Sequence, residues 1–241
     1  MSPLFRRLSA LLIVIPAAMF LLACDKNSES ENSESAKSET ENGTAQITYE
    51  PEENFTVKPY GDKTTITGYK GDAMELNIPP RIGKRTVTAI GKGAFKECTG
   101  LTKVVIPDTV TEIGSQAFLG CTSLTQVTIP DSVKKIGDGT FADCKGLTSV
   151  NIPDGVTKIG SNAFSDCKGL TSVNIPSSVT EIGWKAFSGC KGLTQITIPN
   201  SVTEIGWEAF MGCTNLRRVS VPKGAEVDSS AFPDGTKVER Y

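Results

Sequence analysis

LTSVNIPDGVTKIGSNAFSDC, Leu147–Cys167, decides the fold, because the chain returns to this pattern at one fixed interval. Cys98, Cys121, Cys144, Cys167, Cys190 and Cys213 are each 23 residues apart. A phenylalanine stands three residues before every one of them, from Phe95 to Phe210, and a leucine three residues after, from Leu101 to Leu216. Self-similarity at a fixed period of this size is the signature of a stacked-repeat architecture, in which each unit buries its apolar face only against its neighbours.

Stacking dictates what each position does. Leu147, Val150 and Ile152 alternate as the inward side chains of a strand. Pro153 has no N–H to give to a ladder and closes that strand. Asp154 suits a turn, since its short side chain bonds nearby backbone. Val156 and Ile159 form a second inward pair on an opposite wall. Gly160 and its equivalents Gly91, Gly114, Gly137, Gly183 and Gly206 are expected to supply positive φ at a corner. The following Ala-Phe and Cys pack against the neighbouring coil.

The whole unit resembles the BspA-like leucine-rich repeats of bacterial surface proteins, a cysteine-containing class, and the resemblance runs roughly from Ile66 to Phe232. It implies a repeat solenoid, mainly β: a right-handed coil with a parallel main sheet, short opposite-wall strands and turns. Members of that class are extracellular or envelope-anchored and associate with adhesion and protein binding through varied ligands, so the resemblance speaks to fold more than to function. Seven coils about 4.8 Å apart would make a core about 30–35 Å long. The repeat domain is expected over 44–241, with an N-cap over about 44–91 and a C-cap over about 219–241. In the N-cap, NFTVKPYGDKTTITGYKG alternates like a hairpin with Tyr-Gly-Asp at its turn. In the C-cap, Phe232 lacks its cysteine and the residues turn polar.

The first residues follow other rules. Arg6 and Arg7 precede an apolar run from Leu8 to Ala23, a secretory signal peptide over 1–23. Its end, Leu21-Leu22-Ala23-Cys24, resembles the lipobox of bacterial lipoproteins. That resemblance implies cleavage before Cys24 and a membrane anchor through lipid on its sulfur; an ordinary signal with a chance cysteine, or an uncleaved anchor, are the alternatives. Residues 24–43 carry six acids against two lysines and no large apolar side chain, the composition of a disordered tether. The envelope location expected is the outer membrane or cell surface, and the leaflet stays open.

The cysteine ladder invites a disulfide reading, but in-register side chains keep Cβ atoms about 4.8 Å apart, beyond the roughly 3.5–4.5 Å a disulfide favours. The chain has no histidine and no close cysteine pair, so no metal site is expected. Six buried free thiols acting as small hydrophobes are the better account. No cofactor is expected. Without histidine, nucleophilic catalysis of the Ser-His or Cys-His kind has no base, and a net charge of −2 gives no nucleic-acid footprint. The chain reads as a non-enzymatic, envelope-anchored adhesion or protein-binding module for an extracellular protein or glycan; the alternative is a structural lipoprotein without a discrete ligand.

Inward positions are fixed by packing, so ligand residues must be sought in the outward columns. On the main strand these give Thr171, Asn174, Gln195 and Thr197, a polar surface that changes only at Arg217 and Arg218. A sharper departure is Trp184 and Trp207, the only tryptophans, which share one column with Lys92, Ser115, Asp138 and Ser161 and so should be exposed. They are candidate ligand contacts; stacking on each other to cover an apolar corner is the competing account.

Overall fold

The computed structural model describes residues 47–241. The expected signal peptide, Cys24 and the tether lie outside the described residues. The only helix among them is a single 3-10 turn, Glu52–Asn54. The chain then forms β1 (Phe55–Tyr60), β2 (Lys63–Tyr69), β3 (Glu75–Asn77), β4 (Arg81–Ile82) and β5 (Arg85–Ile90). Each repeat next contributes a three-residue strand and a two-residue strand. These are β6 (Lys103–Val105) and β7 (Glu112–Ile113), β8 (Gln126–Thr128) and β9 (Lys135–Ile136), then β10 (Ser149–Asn151) and β11 (Lys158–Ile159). The last pairs are β12 (Ser172–Asn174) and β13 (Glu181–Ile182), then β14 (Gln195–Thr197) and β15 (Glu204–Ile205). β16 (Arg218–Val221), β17 (Glu226–Val227) and β18 (Lys237–Arg240) end the stack.

Successive units pair in parallel with a 23-residue register, as in Ile136↔Ile159 and Ile159↔Ile182, because each identical inward residue falls on its own copy. The chain is a mainly β solenoid. β1 and β2 form the antiparallel hairpin, turning at Gly61 with φ of 60°, and β2 passes the stack on to β5 in parallel. Eight parallel rungs result along this wall (β2, β5, β7, β9, β11, β13, β15 and β17), one more than the seven coils expected. Strands from both caps extend the repeats, and the last rung shortens the register by one residue, Glu204↔Glu226.

The two strand walls rank differently from expectation. The two-residue strands, expected as the minor wall, belong to one continuous ten-stranded sheet. The three-residue strands, with the four-residue β16 and β18, fall into three ladders, β3-β6-β8, β10-β12 and β14-β16-β18. The tight side is held by an inward Ile at every rung but the last, where Val227 stands, and between successive repeats by a glycine bonded straight to the coil before it, such as Gly183 N–H to Ile159 O at 2.9 Å. The looser side shows in burial: Val173 is half-buried and Ile175 is 8% exposed where the ladder parts.

A third wall has no strands. Its coils are tied by phenylalanine N–H groups donating to the following coil, as Phe141 does to Ala163 O at 2.8 Å. The rings of Phe95, Phe118, Phe141, Phe164, Phe187, Phe210 and Phe232 stack one upon the next at 4.9–5.5 Å, nearly parallel. Tyr69 and Phe55 cap that stack at its start. Thr140 replaces alanine in a column otherwise small and apolar, and its hydroxyl is satisfied by Gly137 O at 2.7 Å.

Burial confirms Leu147, Val150, Ile152, Val156 and Ile159 as core. The cysteines are free thiols and five are fully buried. Each of those five also donates its S–H to the phenylalanine carbonyl of the preceding coil at 3.1–3.3 Å, a role beyond filling space. Cys98 differs: it begins the series and is half-buried.

The glycine column is a correction. Gly114, Gly137, Gly160, Gly183 and Gly206 do not adopt positive φ. They are glycine because a Cβ would strike the backbone of the preceding coil, at 2.6 Å from Ser115 N in the case of Gly137. Left-handed backbone occurs instead two residues later, at Gly93, Gln116, Gly139, Asn162, Lys185 and Glu208, and again four residues after that.

Candidate ligand-binding surfaces

Four of the residues singled out by sequence converge. Thr171, Asn174, Gln195 and Thr197 are exposed and line a groove of about 460 Å³ where the ladder parts between β12 and β14. Val173 contributes a partly exposed apolar floor. Asn174 Nδ2 donates to Asn151 Oδ1 at 2.9 Å and the Thr171 hydroxyl donates to Thr148 O at 3.1 Å. Both side chains are thereby oriented, while Gln195 and Thr197 project from the facing strand. The groove presents polar groups on both sides of this apolar floor.

Arg217 and Arg218 lie exposed one rung further on. Arg218 Nε approaches Glu239 Oε1 at 3.9 Å and Lys237 Nζ lies 2.7 Å from the same oxygen. The Lys237 hydrogen bond and charge hold the Glu239 carboxyl below its ordinary pKa. Arg218 is thus partly engaged by the C-terminal strand, whereas Arg217 forms no ion pair among the described residues.

Trp184 and Trp207 do not join this groove. They follow β13 and β15, at the corner of the ten-stranded wall, and are 44% and 46% exposed. Their column is exposed at Lys92 and Asp138 and half-buried at Ser115 and Ser161, so the expectation of uniform exposure does not hold. The two indoles stack at 5.6 Å with 30° between planes. Lys185 Nζ sits 5.1 Å from one ring centre and 4.8 Å from the other, and Glu208 Oε2 neutralises it at 3.1 Å. Mutual stacking and candidate exposure therefore coexist. Sequence reading missed Lys185 and Glu208, although their column carries only the uncharged Gly93, Gln116, Gly139 and Asn162 elsewhere, and two charged residues there break it.

A third depression, about 710 Å³, lies near the N-terminal end between Tyr49 and Val105. Among the described residues no group of histidine, cysteine or carboxylate side chains is placed to hold a metal ion.

The family profile described as the BspA type leucine rich repeat region, with six copies, matches residues 76–192 and 134–240. The chain belongs to the BspA-type leucine-rich-repeat family. Among solved structures, a leucine-rich-repeat protein of T. pallidum is 31% identical with a TM-score of 0.69, covering 78% of this chain and 92% of that one. A leucine rich cell surface protein of Faecalibacterium prausnitzii is 36% identical with a TM-score of 0.56, over 73% of this chain and 55% of that one. A leucine-rich-repeat protein of Bacteroides ovatus is 27% identical with a TM-score of 0.50, over 78% and 70%. No curated protein matches this BspA-type chain.

Proposed function

We propose that this BspA-type chain is a non-enzymatic adhesion module, held at the bacterial envelope by lipid on Cys24 and binding an extracellular protein through its repeat surface. The observation that carries the binding role is the groove between β12 and β14, where exposed, oriented polar side chains border a partly uncovered apolar floor. Rigid stacking supports it, since a preorganised surface loses little entropy on association. The F. prausnitzii relative described as a cell surface protein supports an exterior location. Leu21-Leu22-Ala23-Cys24 supports the anchor, because two or more acyl chains hold a protein stably at a membrane.

The binding role is tested by immobilising the full chain and titrating purified host-matrix and bacterial surface proteins. A saturable partner whose affinity falls about tenfold in Asn174→Ala/Gln195→Ala, with the fold unchanged by circular dichroism, is the expected result. Absence of any saturable partner, or full retention in the double variant, discards this groove as the site. Anchoring is tested separately: Cys24→Ser should abolish radiolabelled palmitate incorporation and release the chain from membranes.

A further inference from the structure

We propose that the rim of the ten-stranded wall around Trp184 and Trp207 docks a cationic, arginine- or lysine-bearing segment of a protein partner; the proposal rests on the reading of the chain as a binding module. It concerns a wall distinct from the polar groove.

The C-terminal rungs of this wall are acidic. Its outward column runs Glu112, Lys135 and Lys158 on β7, β9 and β11, then Glu181, Glu204 and Glu226 on β13, β15 and β17, so the last three rungs carry carboxylates alone. Lys158 Nζ meets Glu181 at 2.5 Å and neutralises the first of the three glutamates. Glu204 and Glu226 are exposed and form no ion pair among the described residues. Together with Asp228 and Trp207 they border a cleft of about 300 Å³, lined also by Ile205, Gly206 and Val227. Asp228 accepts hydrogen bonds from the Ser230 N–H and hydroxyl at 2.8 and 2.6 Å, which holds its carboxylate ionised and fixed.

Indole faces attract cations through their quadrupole. This pair already does so, because Lys185 lies against both rings. Glu208 balances that lysine internally, so the three neighbouring carboxylates stand as uncompensated negative charge beside an aromatic surface. Lys185 and Glu208 are held at φ of 53° and 52°, a left-handed column otherwise occupied by the uncharged Gly93, Gln116, Gly139 and Asn162. Two departures from the repeat, the tryptophans and the charged residues in the left-handed column, thus fall in the same two coils and form one cluster. A guanidinium or ammonium group matches it in charge and in affinity for the ring; a neutral glycan would use the indoles and leave the carboxylates without a role.

Both tryptophans of the chain are in this cluster, so tryptophan emission reports on it alone. The full chain is titrated with a hexa-arginine peptide at about 0.05 M salt, where surface charges are weakly screened. The expected result is a saturable emission change, with affinity about two- to fivefold weaker for each of Glu204→Gln and Glu226→Gln. Glu112→Gln, on the same wall but remote from the indoles, should leave the affinity unchanged. No saturable emission change, equal weakening by Glu112→Gln, or a response to neutral oligosaccharides without one to the peptide overturns the proposal. The partner titrations with Asn174→Ala/Gln195→Ala read the other wall. A silent peptide titration beside an intact protein interaction there removes only the cationic docking site, whereas failure of both removes the binding-module reading itself.

Discussion

Replacing Gly137 with alanine separates two explanations of the glycine column. The added Cβ would lie 2.6 Å from Ser115 N, 2.8 Å from Gly114 C and 2.9 Å from Ser115 Cα, all backbone atoms that cannot rotate away. Comfortable contact begins near 3.4 Å, so the two coils would have to part by roughly 0.8 Å to relieve the overlap. Gly137 N–H donates to Ile113 O at 3.0 Å, and stretching that bond by roughly 0.8 Å takes it outside hydrogen-bonding range. Overpacking of about 1–3 kcal/mol and a lost hydrogen bond of about 1 kcal/mol oppose a gain of about 0.4–1 kcal/mol from a stiffer unfolded chain. The net is a destabilisation of about 1–3.5 kcal/mol. Gly224 meets nothing within 4 Å and has ordinary φ, so Gly224→Ala should be neutral or stabilising by up to about 1 kcal/mol. Urea unfolding followed by circular dichroism compares the midpoints. Gly137→Asn sharpens the result: asparagine tolerates left-handed backbone, so it would outperform alanine if positive φ were the reason and cannot do so if steric contact is. Equal midpoints for Gly137→Ala and Gly224→Ala, or rescue by asparagine, would refute the contact argument.

Cys98 should react with iodoacetamide in the native protein well before Cys121, Cys144, Cys167, Cys190 and Cys213, as mapped by peptide mass spectrometry, because it alone of the six is half-buried; uniform labelling of all six would contradict the packing. Burial lifts the Cys121 and Cys167 thiols to about 12. A raised folded pKa means their stabilisation is complete below the ordinary thiol value near 8.5 and is lost as pH climbs toward the folded value. Each should therefore remove up to about 1.4 kcal/mol per pH unit above that point, and a urea midpoint that is flat from pH 8 to pH 10, or no flatter in Cys121→Ser/Cys167→Ser, would count against it. Phe141 is fully buried between Phe118 and Phe164, so Phe141→Ala should cost about 3–5 kcal/mol; Phe232→Ala, half-buried at the end of the stack, should cost clearly less in the same denaturation assay.

Much of this architecture was legible without coordinates. A 23-residue recurrence of Phe, Cys and Leu leaves stacking as the one way for every unit to bury the same face, so the solenoid, its register and the core residues Leu147, Val150, Ile152, Val156 and Ile159 could be read directly. Burial of five cysteines followed from the same periodicity. Departures from the repeat pointed to Trp184 and Trp207 as well.

Only the tertiary structure decided what neighbouring coils do to one another. Gly137 is glycine because of Ser115, twenty-two residues away in the chain, and nothing local distinguishes a forbidden Cβ from a positive φ. The groove gathering Thr171, Asn174, Gln195 and Thr197 exists because the ladder parts between β12 and β14, although the repeat pattern at those rungs is unbroken. Lys185 became part of the tryptophan cluster through its reach across both indoles and its partner on the following coil. A one-dimensional pattern reports which face of each residue must be buried; the distances between coils arise from close packing and hydrogen bonding summed over the whole stack, and it is those distances that make one column a steric contact and another a surface open to a ligand.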